Sequence, residues 1–109
     1  MAPRLASGVW VSAYLARLRV AAIPVYVTAR GDATAGAVIV KLATLDGQAQ
    51  AFQRITDAAT GGREWDVLAG GDEASVDAVI ARARARDRDL WVIEVEDRQG
   101  RAMLEEGGL

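Results

Sequence analysis

The sequence predicts an α+β fold: a two-layer sandwich in which a mostly antiparallel five-stranded sheet carries two helices on one face, in the order α-β-β-β-β-α-β. Three observations predict it. Two segments repeat apolar residues every three or four positions, the period of a helix face. Five segments are β-branched or alternate polar with apolar, the period of a strand. Short turns carrying Gly and Asp separate the first four of these, so antiparallel pairing of sequential strands is expected.

The first helix is expected after Ser7 or Gly8, either of which can cap it. Trp10, Tyr14, Leu18 and Ala21 form one apolar series, and Val11, Leu15 and Ala22 another. Pro24 should stop the helix at Ala22 or Ile23, because the residue before a proline is pushed out of the helical region. Val25 to Arg30 is the first strand. Gly31 to Gly36 is a turn, read as glycines that tolerate positive φ. Ala37 to Ala43 is the most apolar strand and is placed at the centre. Asp46-Gly47 marks a hairpin leading into Ala49 to Ile55. A loop at 57–62 precedes Arg63 to Leu68. Gly70-Gly71 ends that strand, and Asp72 caps a second helix whose stripe is Val76, Val79, Ile80 and Ala83. Leu90 to Asp97 is the last strand. The chain reads as a single domain over 1–109, with tails at 1–6 and 99–109.

The 109 residues contain no histidine and no cysteine. The commonest general base near neutrality is therefore missing, together with the thiolate nucleophile and the usual ligands of structural zinc. Ser7, Ser12 and Ser75 have no histidine to activate them. Half of the residues are apolar, enough for a real core, and with no disulfides packing alone must hold it. Thirteen basic residues face fifteen acidic ones, a balance with no pull towards a phosphate backbone. No apolar run reaches the roughly 18 residues of a membrane span, and no clean cleavage site follows Arg4, so neither an anchor nor a leader is expected. The lack of cysteine fits a reducing cytoplasm.

Several constellations could carry chemistry. Glu94 and Glu96 fall on one face of a strand, about 6.6 Å apart, and Glu64 and Asp66 repeat the pattern. If their strands were neighbours, four carboxylates could hold a hard cation or act as an acid and base pair. The competing expectation is pairing with Lys41, Arg54 and Arg30 across an open face. Arg82 and Arg86 lie on one side of the second helix, and with Lys41 and Arg54 they are the candidates for an anion or nucleic acid. Tyr26 and Phe52 suggest a base-stacking surface, but no RNA-recognition pattern accompanies them, so nucleic acid is not expected. The Gly-x-x-x-x-Gly of Gly31 to Gly36 lacks the Lys-Ser or Lys-Thr pair of a phosphate loop, and a strand follows it. No cofactor is implied. The first helix is apolar around so much of its surface that Val9, Trp10, Ala13 and Tyr14 are either sealed by loops and the second helix or offered to a partner.

Three segments considered together, Gly8-Val9-Trp10-Val11-Ser12-Ala13, Ala35-Gly36-Ala37-Val38-Ile39-Val40-Lys41 and Asp89-Leu90-Trp91-Val92-Ile93-Glu94-Val95-Glu96-Asp97, resemble domain-of-unknown-function family 1491, small proteins found mainly in alphaproteobacteria. The resemblance spans nearly the whole chain and implies a cytoplasmic bacterial protein standing alone as one domain. It implies no activity and no catalytic residue. The expected function is a noncatalytic protein-interaction or self-associating module. A carboxylate-based metal-binding protein or enzyme is the first alternative, and nucleotide or nucleic-acid contact the weaker one.

Overall fold

In a computed structural model, which describes residues 5–56, 59 and 63–105 apart from the side chains of 55, 56 and 63, the elements follow the predicted order. They are α1 (Ser7–Val20), β1 (Val25–Ala29), β2 (Val38–Ala43), β3 (Gln48–Thr56), β4 (Arg63–Asp72), α2 (Glu73–Arg86) and β5 (Trp91–Glu96). Residues 1–4 and 106–109 of the expected tails, and most of the loop at 57–62, lie outside the described residues. The α+β class and the mostly antiparallel five-stranded sheet are as the sequence predicts.

The sheet order is β1-β5-β2-β3-β4, with β2 central as expected. Sequential antiparallel pairing holds for β2 with β3 and for β3 with β4. It fails between β1 and β2, because β5 inserts between them, antiparallel to β1 and parallel to β2. The helices do not share a face, which corrects the two-layer expectation. Trp10, Val11, Tyr14 and Leu18 of α1 pack on Val38, Val40, Leu42, Trp91, Ile93 and Val95. Val76 and Ile80 of α2 pack on Ile39, Ala49, Ala51 and Val92. Ile39 and Val92 alternate with the first set, so β2 and β5 are apolar on both faces and need cover on both.

The local devices are specific. Asp72 caps α2 by accepting from the Ser75 N–H at 3.0 Å, as predicted. The Asp46 carboxylate accepts from the Gln48 N–H, and Gly47 takes φ 87°, which makes the β2–β3 hairpin. Ser7 does not cap α1. Its Oγ donates to the Gly36 carbonyl at 2.6 Å, while the Ser7 and Gly8 N–H groups donate to Thr34 and Ala33. Gly31 and Gly36 are required by close approach and not by positive φ. A Cβ on either would collide with the Asp89 carbonyl, because the β1–β2 connection must pass over the entrance to β5. Gly70 and Gly71 continue β4 opposite Gln50 and Ala49, so the strand ends later than predicted.

α1 stops one turn before Pro24. The Ile23 N–H reaches back to the Leu18 carbonyl and the Ala22 N–H to Arg19, with Ala22 in the left-handed region at φ 60°. Glycine fills this position at lower conformational cost than a residue carrying Cβ. Ala22→Gly is therefore expected to stabilise the fold by about 0.5–1 kcal/mol, measured as a higher urea midpoint with an unchanged slope.

Candidate functional site

The insertion of β5 beside β2 places Lys41 opposite Glu94 on the face that α2 covers. Lys41 is buried, and its ammonium lies 2.7 Å from Glu73, 2.7 Å from Asp77 and 3.1 Å from Glu94. Glu73 and Asp77 stand one turn apart on α2, so a single helix face brings both carboxylates down onto one lysine. Burial alone would lower the Lys41 pKa. The hydrogen bonds that Lys41 donates to Asp77, Glu73 and Glu94 outweigh it and hold the ammonium well above its ordinary range. This cluster fastens α2 to the centre of the sheet.

The four carboxylates proposed for a cation are not gathered. Glu94 and Glu96 lie on β5, Glu64 and Asp66 on β4, and β2 and β3 run between them. Three strand spacings separate the pairs by about 14 Å. Glu64 is further displaced along the strand, since it pairs with Ile55 while Glu94 shares a row with Ala51 through Lys41. Among the described residues no group of three or more acidic side chains is placed to hold a metal.

The basic set is also dispersed. Arg54 packs over the Trp65 ring at 5.6 Å, on the α1 side of the sheet, whereas Lys41 lies under α2. Arg82 is exposed about 13 Å further along α2 than Glu73. Arg54 and Arg86 do share a hollow of about 210 Å³, which Asp87 also lines. Arg84 is structural, donating to the Arg88 and Arg30 carbonyls and so tying the end of α2 to the β1–β2 connection. Tyr26 and Phe52 lie on opposite faces and form no common stacking surface, since Tyr26 pairs with Glu94 and Phe52 packs against the α1 cluster.

The four interface candidates on α1 divide by direction. Trp10 and Tyr14 are 1% and 0% exposed. They stack on each other at 4.8 Å, and Trp10 also meets Trp65 at 5.5 Å. Val9 is 54% exposed, and Ala13 is exposed beside it. Continuing that side of the helix leads to Ala16 and then to Val20, which is 90% exposed. Sequence reasoning missed Ala16 and Val20, although their spacing of four, three and four from Val9 was there to be read. Next to Val20 lies a shallow apolar groove of about 390 Å³ lined by Ala16, Arg17, Val20, Ala21 and Met103.

α1 covers the β1, β5 and β2 part of its face, and the chain after β5 returns over the rest. Asp97 makes that return. Its carboxylate accepts from the Arg101 backbone N–H at 2.7 Å and from the Arg101 guanidinium at 2.8 and 3.1 Å. The Tyr14 hydroxyl then donates to the Ala102 carbonyl at 2.6 Å, and Ala102, Met103 and Leu104 pack on the α1 cluster. Burial holds the Tyr14 hydroxyl protonated far above its ordinary range, against the opposing charge of Arg17. The expected tail is thus docked as far as Leu104. Between it and β3–β4 a cleft of about 590 Å³ remains, lined mainly by Phe52, Arg54, Trp65, Val67, Met103 and Leu104.

Two expectations follow from these anchors. The Arg101 hydrogen bonds hold the Asp97 carboxyl at about 2, against the opposing effect of burial. A carboxyl held low in the fold adds stability that is complete above its ordinary value of 3.8 and is lost as pH falls through about 2. Denaturation followed downwards in pH should show that loss in the wild type and not in Asp97→Asn, whose Ala102 to Leu104 amides should exchange faster at neutral pH. Lys41→Met leaves three carboxylates facing one another without their cation. Removing one partner of a fully buried pair costs about 3–5 kcal/mol, but these carboxylates are 25–54% exposed, and water takes up part of that cost. A loss of about 1–2 kcal/mol in urea denaturation is expected.

Comparison with known proteins matches both the chain and its fold. A family model described as a protein of unknown function, DUF1491, matches residues 5–105. The crystal structure of a DUF1491 family protein from Caulobacter crescentus CB15 is similar at 38% identity and a TM-score of 0.86, covering 94% of this chain and 96% of that one. An NMR structure of a DUF1491 family protein from the same organism gives 36% identity, 96% coverage of both chains and a TM-score of 0.83. The solution structure of protein Atu0922 from A. tumefaciens shares the fold at 24% identity and a TM-score of 0.74, covering 98% of this chain and all of that one. No curated protein matches. The sequence match over nearly all of the described chain and the two close structures agree: this chain belongs to the DUF1491 family of proteins of unknown function.

Proposed function

We propose that the protein is a self-associating interaction module that pairs with a second copy of itself through the outer face of α1, without a reaction of its own. The observation that carries this reading is the exposed series Val9, Ala13, Ala16 and Val20. Its spacing of four, three and four is a two-helix seam. It is also palindromic. In an antiparallel pair about a two-fold axis, Val9 of one copy meets Val20 of the other, and Ala13 meets Ala16. Alanines at the centre let the helix axes approach closely, and valines close the two ends. The same operation carries Val9 and the exposed Leu5 towards the apolar groove beside Val20. Knob and groove therefore sit on every copy, as an isologous contact requires.

The chemistry of the remaining surface supports the reading. Glu73, Asp77 and Glu94 come together around Lys41, and Glu64 and Asp66 stand three strands away from Glu94 and Glu96.

A pair of 14-residue helices with one groove buries less than a standard interface of roughly 1,600 Å². The dimer is accordingly expected to be weak, with a Kd on the order of 10–100 μM. Light scattering on the full chain should show the mass rising towards twice the monomer value as concentration approaches about 1 mM. Val20→Asp should keep the circular dichroism of the wild type and remain monomeric. A wild-type monomer mass across that range, or an undiminished dimer in Val20→Asp, would overturn the proposal.

A further inference from the structure

β4 is an edge strand, and no described strand pairs with its outer side. A strand edge left open presents unpaired N–H and C=O groups to any extended chain. Over Glu64-Trp65-Asp66-Val67 the side chains alternate strictly. Trp65 packs at a tilt against Trp10, and Val67 pairs with Phe52, so both belong to the α1 side. Glu64 and Asp66 are exposed and alternate to the opposite side. The edge thus has one apolar flank and one acidic flank.

The apolar flank has space in front of it. The cleft of about 590 Å³ opens beside Trp65 and Val67, with Phe52, Met103 and Leu104 as its other apolar walls, and Glu64 and Asp66 border it along the strand edge. Val67 is half exposed there. Arg54, the basic residue of the lining, is already engaged over the Trp65 ring. Glu105 stands at the rim and adds a third carboxylate near the edge.

We infer that the β4 edge binds an extended peptide segment of another protein in which apolar and basic residues alternate. Such a segment adds a sixth strand. Its main chain pairs with the free edge of β4. Its apolar side chains enter the cleft beside Trp65 and Val67, and its basic side chains meet Glu64 and Asp66 as cross-strand partners. An acidic or uniformly apolar segment lacks one of the two matches. Met103 borders both this cleft and the groove beside Val20, but the β4 edge and its carboxylates lie apart from Val9–Val20, so the position of the shifts and the Val20→Asp variant tell peptide binding from self-association.

The test is an NMR titration of the ¹⁵N-labelled full chain with a synthetic peptide of about six residues alternating arginine and valine. A control peptide carries glutamate for arginine. Binding with a Kd on the order of 100 μM is expected, with shifts at the backbone amides of residues 64–67 and at the Trp65 indole. The glutamate peptide should leave the spectrum unchanged. The doubly substituted Glu64→Lys, Asp66→Lys chain should bind the arginine peptide about tenfold more weakly or worse. The neutral Glu64→Gln, Asp66→Asn chain should fall between it and the wild type. No shift on β4 at millimolar peptide, equal binding of the glutamate peptide, or shifts confined to Val9–Val20 would each overturn the inference.

Discussion

β2 and β5 run parallel at the middle of the sheet, and a parallel pair in this position leaves neither face to water. All six residues of β2 are buried, and so are four of the six in β5. Such strands need an apolar layer above and another below. The two helices meet that need by separating, α1 to one face and α2 to the other. The chain between β2 and β5 is long enough to do this, because β3, β4 and α2 form the crossover. The β1–β2 connection then has to cross the entrance of β5, where only glycine fits at positions 31 and 36. The Trp91 indole donates to the Asp32 carbonyl at 2.8 Å and fixes the same crossing from the strand side.

Burying β2 on both faces also buries a charge. Lys41 would be an expensive residue under α2 if it stood alone. Glu73, Asp77 and Glu94 converge on it from two different elements, so the helix and the neighbouring strand are held to each other through the lysine. The cluster contributes less through net Coulomb energy than through the cost of every arrangement that leaves the ammonium unpaired. While its three carboxylates are ionised, the lysine's contribution is complete below its ordinary value of 10.5 and fades as pH rises beyond it into strong alkali, because the folded-state value is raised.

Each helix spans part of the sheet, and the two parts are diagonal. α1 lies over β1, β5 and β2, whereas α2 lies over the β2, β3 and β4 side. The half-face beside α1 is roofed by the chain after Asp97, which leaves the cleft below it. The surfaces that remain open are therefore of two kinds. One is the outside of a helix whose inner side is fully used by the core. The other is the end of a sheet whose last strand has a neighbour on one side only. Both present apolar groups that the fold itself does not cover.

The order of elements, the Asp72 cap, the Asp46-Gly47 hairpin and the central place of β2 were legible in the sequence, because each depends on residues within a few positions of one another. The family was legible as well, from segments spread over the whole chain. Glu64 and Asp66 could not be related to Glu94 and Glu96, because alternation gives the face of a strand but not its neighbour. Val9 and Ala13 were identifiable as surface candidates, yet Trp10 and Tyr14 have the same apolar character and are buried; only the position of the sheet under α1 separates them. The docking of Met103 and Leu104 rests on one carboxylate turning the chain at Asp97, a contact with no periodic signature. By itself the sequence determined which elements form and in what order, the Asp72 cap and the Asp46-Gly47 turn, and that no histidine or cysteine chemistry is open to them. The tertiary structure alone decided that β5 lies between β1 and β2, and with it which faces need cover, which charges meet and which surfaces stay open. Strand order is set by contacts between residues distant in the chain, and local pattern carries no record of them.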